Sequence, residues 1–255
     1  MDTDPGLPVS RKPMYLPQIP KNKKSPGTSR LSSLGEPLFL YFLLFASGLV
    51  SRGTYPAFIT FSVPRELIRI FVYTLPSLGL IMYLLYLHNK AFPAHWNQGI
   101  IKPRFKDLRI GGITLLGLGC IGLCIAGLPP LVNPLLTPYI EIPSSPRLEA
   151  PQELLAWLVM LVSCLGTGYL EESYFRLYLL LRLEAAGIGI GKSMFFSCIL
   201  FAICHTYEGP WGILHAGLAG ILLSWVLIRF HSFHGIAWAH GAYNGLVYLT
   251  AYVDR

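Results

Sequence analysis

Charged residues are scarce in this chain. Of its 255 residues, 13% are Asp, Glu, Lys or Arg and 53% are hydrophobic, whereas an ordinary soluble domain has roughly 25% charged residues. Mean hydropathy is +0.51. A soluble protein of this length needs a charged surface around its core, and these charges are too few to form one. The composition therefore argues against an ordinary soluble protein and predicts that apolar surface faces lipid.

Cysteines are also few, and their positions do not suggest a disulfide framework. They are Cys120, Cys124, Cys164, Cys198 and Cys204. All five lie inside apolar runs, where a thiol behaves as a small hydrophobic group. Cys120 and Cys124 share a helix face but have no neighbouring histidines in the sequence, so we interpret them as packing residues and not as metal ligands.

The net charge of +7 is concentrated in two segments that separate apolar runs. Lys and Arg residues cluster within 11–30 and 90–109, whereas the proline-rich segment 129–153 is acidic. This distribution is typical of cytoplasmic basic loops and an outer acidic loop. We predict that residues 1–35 form a disordered basic tail in the cytoplasm and that residues 36–255 form a single transmembrane domain.

The apolar runs predict an all-α fold, a polytopic transmembrane bundle of seven or eight segments around an intramembrane polar cavity. A bilayer core takes about 20 helical residues, and several of these runs reach that length. The runs cover approximately residues 36–51, 66–88, 109–130, 152–170, 173–183, 192–205, 211–230 and 234–252. The short run 173–183 is interfacial, re-entrant or a continuation of the helix before it. We favour one long helix over 152–183, kinked near Gly166 or Gly168, because it brings the polar residues of neighbouring segments to similar depth.

Two adjacent glutamates, Glu171 and Glu172, interrupt this long helix. Ionisable residues at membrane depth are costly and mark functional sites by default. Glu172 and Arg176 are spaced to form an i, i+4 pair. Glu171 lies about 100° round the helix, so it points elsewhere and is left free to act as a base.

Two later runs carry further polar residues at helical spacing. Phe201 and His205 share a face, so the aromatic ring can wall off a pocket beside the imidazole. His240 and Asn244 also lie one turn apart, and their side chains can converge on one oxygen atom as an oxyanion hole. His215 could line the same cavity, although packing is the more common role of an isolated histidine. The cluster could also relay protons in a transporter or fix helix packing in a non-catalytic membrane partner.

The three motifs, in this order over residues 152–250, resemble the CPBP family of CAAX-processing endopeptidases and Abi-type proteins. They are Glu171-Glu172-Ser-Tyr-Phe-Arg176, Phe201-Ala-Ile-Cys-His205 and His240-Gly-Ala-Tyr-Asn244. The resemblance implies an intramembrane endopeptidase that cleaves a membrane-associated protein or peptide. It also implies that Glu171 and His205 activate a water while His240 and Asn244 hold the oxyanion.

The expected cofactor content follows from the ligand types in these motifs. Glu171, His205 and His240 could bind zinc, but the chain has no His-Glu-x-x-His helix and Asn244 is a poor zinc ligand. We therefore expect catalysis without a cofactor, with zinc as the alternative. The expected partners are the lipid bilayer and a membrane-anchored substrate, not nucleic acid. The expected location is a bacterial plasma membrane, with the amino terminus in the cytoplasm.

Overall fold

The computed structural model describes residues 30–45, 58–88, 102–139 and 147–253. Most of the predicted tail, residues 1–29, lies outside these ranges. The first helix begins at Arg30, inside the segment that we assigned to the tail.

The described fold is helical apart from one pair of two-residue parallel strands, Phe58–Ile59 with Arg147–Leu148. The helices in chain order are α1 (Arg30–Phe45), α2 (Val63–Leu87), α3 (Phe105–Ala126), α4 (Pro129–Leu136), α5 (Leu154–Ala185), α6 (Ile190–Ile203), α7 (Gly209–Phe230) and α8 (Phe233–Val253). A 3-10 turn, Thr206–Glu208, precedes α7.

Four helical segments in the described ranges are long and apolar enough to cross a membrane. They are Val63–Leu87, Phe105–Leu136, Leu154–Ala185 and Thr206–Phe230, of 25 to 32 residues. Large apolar side chains on them are exposed, including Phe71, Leu116 and Leu158, as expected where lipid is the solvent. The chain is an integral membrane protein. We predicted seven or eight membrane segments, and length and composition alone identify four spans in the described ranges. The apolar helices Leu34–Phe45 and Ile190–Ile203 are shorter than these four.

Helix α5 is one continuous element from Leu154 to Ala185, as predicted for the residues around the glutamates. Its backbone departs from α-helical hydrogen bonding at Ser173–Tyr178, which is a π-helical segment, and not at Gly166 or Gly168 as expected. This segment lies at the centre of the packed core, where Tyr174, Phe175 and Tyr178 are fully buried. Ser197 of α6 donates a hydrogen bond to the Phe175 carbonyl within it, at 2.7 Å.

Gly168 allows α5 and α8 to approach closely. A Cβ atom on Gly168 would lie 2.7 Å from the Gly241 nitrogen and 2.8 Å from the Ala237 carbonyl oxygen. Small residues permit such contacts between membrane helices. Gly168 lies one turn before Glu171, and Ala237 and Gly241 flank His240 on α8, so the contact sets the distance between the two halves of the polar site.

Candidate active site

Glu172 and Arg176 form a completely buried ion pair. The Arg176 Nε atom lies 3.2 Å from Glu172 Oε2, and both side chains are 0% exposed. The Arg176 guanidinium also lies 4.1 Å from the centre of the Phe201 ring, where a cation is attracted to the π-electrons. The predicted i, i+4 pair is therefore present, and Phe201 covers it from the side of α6.

His240 joins α8 to this pair. Its Nδ1 atom lies 2.7 Å from Glu172 Oε1. Because an ionised carboxylate paired with an arginine can only accept hydrogen bonds, Nδ1 is the donor. The other ring nitrogen, Nε2, lies 3.6 Å from Glu171 Oε2. His240 is thus held between the two glutamates, a contact that the helical spacing of its own motif does not reveal.

A cavity of about 690 Å³ opens beside this layer. The four residues predicted to be catalytic, Glu171, His205, His240 and Asn244, all line it, although they come from three different parts of the chain. Glu172 and Arg176 are fully buried and are not among the described lining residues. The adjacent glutamates therefore face different surroundings, as their positions round the helix predict.

Glu171 lines the cavity and has one buried acceptor atom without a protein partner in the described part of the chain. Its side chain is 14% exposed, and its Oε2 atom has no hydrogen-bond partner among the described residues. The 3.6 Å separation from His240 is too long for a direct hydrogen bond. A buried acceptor of this kind requires water or a ligand group as its partner.

The ring of His205 is oriented by its own helix. Its Nδ1 atom lies 2.7 Å from the Phe201 carbonyl oxygen, and since a carbonyl only accepts, Nδ1 carries the hydrogen. In the neutral ring, Nε2 then has the free lone pair. The Phe201 ring packs on the imidazole with centroids 4.6 Å apart. This geometry gives His205 one nitrogen that can accept a proton.

An arginine, a glutamate and a histidine that the motif analysis did not select as site residues also line the cavity: Arg69, Glu208 and His215. Arg69 could have been found, because a charge inside an apolar run is itself a functional signal. Glu208 follows His205 by three residues in the 3-10 turn. The His215 ring stacks on Tyr243 at 5.1 Å, and its buried Nε2 has no hydrogen-bond partner within the described ranges.

The zinc alternative requires several ligands in one place. In the part of the chain that the structure describes, no group of three or more His, Cys, Asp and Glu residues is arranged to hold a metal ion.

Comparison with known proteins gives one result. Residues 153–246 match the family model described as type II CAAX prenyl endopeptidase Rce1-like. No curated protein and no solved structure matches the chain. The matched segment contains all three motifs and nearly coincides with the predicted core at 152–250. The predicted resemblance is thus confirmed: residues 153–246 are of the CAAX endopeptidase family, and the match supports a role as a membrane protease.

Proposed function

We propose that this protein is an intramembrane endopeptidase in which Glu171 activates a water to hydrolyse a peptide bond of a membrane-associated substrate. The observation that carries the proposal is the buried Oε2 atom of Glu171, which has no hydrogen-bond partner among the described residues and belongs to a side chain that lines one cavity with His205, His240 and Asn244. The family match of residues 153–246 supports the same class of reaction.

The proposed first step is attack by water. A water between the Glu171 carboxylate and His205 Nε2 loses a proton to Glu171, and its oxygen bonds to the carbonyl carbon of the scissile peptide. The carbonyl oxygen becomes an oxyanion. Asn244 donates an amide N–H to it without any change of protonation, and His240 donates through Nε2–H.

Glu172 prepares His240 for this role. Because Glu172 accepts the Nδ1 hydrogen, the only ring nitrogen left to face the cavity is Nε2. Donation through Nε2–H requires the imidazolium form, which carries a hydrogen on both nitrogens. Collapse of the tetrahedral intermediate then breaks the C–N bond. Glu171 returns its proton to the leaving amine, which balances the reaction.

The same proposal includes the topology. The two shorter apolar helices and α8 complete a seven-segment bundle with the four long spans. By the positive-inside rule, the basic residues within 102–109 and before α1 support a cytoplasmic location of these loops and of the amino terminus. The expected membrane is a bacterial plasma membrane.

The test is cleavage of a membrane-anchored reporter by the purified protein in liposomes. We expect Glu171→Ala, His205→Ala and His240→Ala each to abolish cleavage while the protein still inserts in the membrane. Cleavage by Glu171→Ala at the wild-type rate would refute the proposal. A substrate flux that follows an imposed pH gradient, without cleavage, would instead identify a proton-coupled transporter.

A separate experiment tests whether cleavage depends on a metal ion. Exhaustive chelation followed by metal analysis of the active preparation tests whether a metal ion is needed. We expect cleavage to continue at an unchanged rate in protein that contains no zinc. Loss of activity on chelation, restored by zinc, would favour Glu171, His205 and His240 as ligands.

A further inference from the structure

Helices α3 and α7 form a groove on the outer surface of the bundle. They touch at Gly117 and Leu222, where a Cβ atom on Gly117 would lie 2.9 Å from the Leu222 side chain. They also meet where α3 begins and α7 ends, because Lys106 donates to the Phe230 carbonyl at 3.4 Å. The two contacts show that the helices run antiparallel.

Helix rotation places the exposed apolar side chains of both helices on one side of this contact. At 100° per residue, those of α3 are rotated backwards from Gly117 by about 40–100°, and those of α7 are rotated backwards from Leu222 by about 60–100°. In an antiparallel pair, the same rotation along each chain leads to the same side. Leu118 and Leu223, on the opposite side, are buried. The exposed side chains that flank the groove are Ile113 and Leu116 of α3 and Ile221 and Trp225 of α7.

Cationic side chains from both helices lie at one end of the groove. Lys106 and Arg109 continue the exposed face of α3, and Arg229 continues that of α7, by the same rotation. All three are exposed. The Arg229 guanidinium lies 5.4 Å from the centre of the Phe230 ring, and Lys106 contacts the carbonyl of the same residue. Phe230 therefore has a cation from each helix beside it.

No carboxylate in the described ranges forms an ion pair with any of these three cations. Asp107 is the only acidic residue within α3 and α7. Its buried carboxylate accepts hydrogen bonds from Ser232 at 2.5 Å and from the Arg104 backbone at 2.7 Å, so it is directed away from the groove. Like charges gathered without a counter-charge repel each other, and this end of the groove therefore attracts an anion.

The apolar part of the groove selects a lipid as the source of that anion. Lys106 and Leu116 are ten residues apart, which is about 15 Å along the helix and about half of the ~30 Å hydrocarbon core. Trp225 lies one turn before Arg229, as is common for tryptophan at the membrane surface. The matching ligand has an anionic head and apolar chains that reach through one leaflet. A free phosphate ion would leave the apolar walls uncovered.

We propose that the groove between α3 and α7 binds an anionic phospholipid. Its phosphate contacts Lys106, Arg109 and Arg229, and its acyl chains pack against the apolar side chains that flank the groove. A zwitterionic phospholipid covers the same apolar surface but brings its own cation to the basic end, so it binds less tightly. The inference does not depend on the reaction that the protein catalyses.

Trp225 provides a probe for the experiment, because brominated acyl chains quench the fluorescence of a tryptophan that they touch. The full-length protein is placed in phosphatidylcholine vesicles with increasing fractions of brominated phosphatidylglycerol or brominated phosphatidylcholine. Trp225 is one of five tryptophans, so the difference between the wild type and Trp225→Phe gives its signal. We expect half-maximal quenching of Trp225 at an about tenfold lower fraction of the anionic lipid.

Removal of the cations should remove this preference. Lys106→Gln/Arg229→Gln should reduce it to less than about twofold. Because Lys106 also contacts the end of α7, Arg109→Gln serves as the second variant and should weaken the preference severalfold. Lys192→Gln is the matched control for general attraction of anionic lipid to basic residues. Lys192 is exposed near the start of α6, which packs on the side of α7 away from α3, so the preference should persist.

The outcomes separate a specific site from the alternatives. Equal quenching by the two brominated lipids in the wild type would overturn the site, and so would a preference that survives in both groove variants. An equal loss of preference in Lys192→Gln would show attraction to net charge only and would also overturn it. Relief of the quenching by inorganic phosphate would assign the cations to a soluble anion and overturn the lipid. Quenching does not require cleavage, so the proposed function stands or falls separately.

Discussion

The two adjacent glutamates of α5 occupy very different environments. Glu172 is completely buried and its carboxylate contacts Arg176 and His240. Glu171 lies on the cavity wall, and one of its oxygen atoms has no hydrogen-bond partner among the described residues. One residue of helix rotation separates a carboxylate that joins α5 to α8 from one that is available for chemistry. We therefore predict that substitutions of Glu172 mainly lower the free energy of unfolding. Substitutions on the cavity wall should mainly lower the rate of cleavage.

The largest effect on stability is expected from Glu172→Gln. This change leaves the Arg176 guanidinium buried without a counter-charge, which typically costs about 3–5 kcal/mol. Thermal unfolding in detergent measures the loss. The double variant Glu172→Gln/Arg176→Met removes both charges and should recover a large part of it. Equal stability of the single variant and the wild type would contradict the assignment of a structural role to Glu172.

Asn244→Ala should lower the rate of cleavage and leave the stability of the protein unchanged. Removal of one oxyanion donor typically lowers kcat about 10²–10³-fold, while Asn244 has no part in the buried ion pair. We expect an unchanged unfolding temperature, an almost unchanged KM and a strongly reduced kcat in the reporter assay. A kcat that stays within about twofold of the wild type would remove Asn244 from the oxyanion hole.

Gly168→Ala should moderately lower both the stability of the protein and its rate of cleavage. The new Cβ would lie 2.7 Å and 2.8 Å from backbone atoms of α8, which cannot move aside as a side chain can. Overpacking of this kind costs about 1–3 kcal/mol and displaces His240 relative to Glu171. Gly112→Ala on α3 is the control, because a Cβ there meets nothing within 4 Å. The unfolding temperatures of the two variants should differ clearly, with Gly168→Ala the lower.

The smallest effect is expected from Ser197→Ala. It removes the hydrogen bond to the Phe175 carbonyl in the π-helical segment, for a loss of about 1 kcal/mol. The reporter should still be cleaved at nearly the wild-type rate. A large loss of activity with little loss of stability would mean that the π-helical segment takes part in catalysis and does more than support the core.

Much of this arrangement follows from sequence, because helix periodicity is a strong constraint. The i, i+4 spacing predicts the contact between Glu172 and Arg176, and the 100° rotation per residue predicts that Glu171 points elsewhere. Contacts between helices are not encoded in this way. The bond from His240 to Glu172 depends on how closely α5 and α8 pack. That distance is set by the contact between Gly241 and Gly168, and we first interpreted Gly168 as a possible kink.

Arg69 illustrates a different limit. Its charge within an apolar run was visible in the sequence, but its location on the cavity wall depends on the packing of α2 against Ser163 of α5. The position of the π-helical segment is likewise a product of tertiary packing, since Ser-Tyr-Phe-Arg-Leu-Tyr contains neither proline nor glycine that would mark an irregularity. Local sequence therefore predicts which residues share a helix face. Which faces pack against each other is known only from the three-dimensional structure.

The different roles of the two glutamates are tested most directly by the isosteric variants Glu171→Gln and Glu172→Gln, compared side by side. The measurements are single-turnover cleavage of the membrane-anchored reporter and the unfolding temperature of each variant. We predict that Glu171→Gln unfolds at the wild-type temperature and cleaves no reporter, whereas Glu172→Gln unfolds at a clearly lower temperature. Wild-type cleavage by folded Glu171→Gln protein would contradict it.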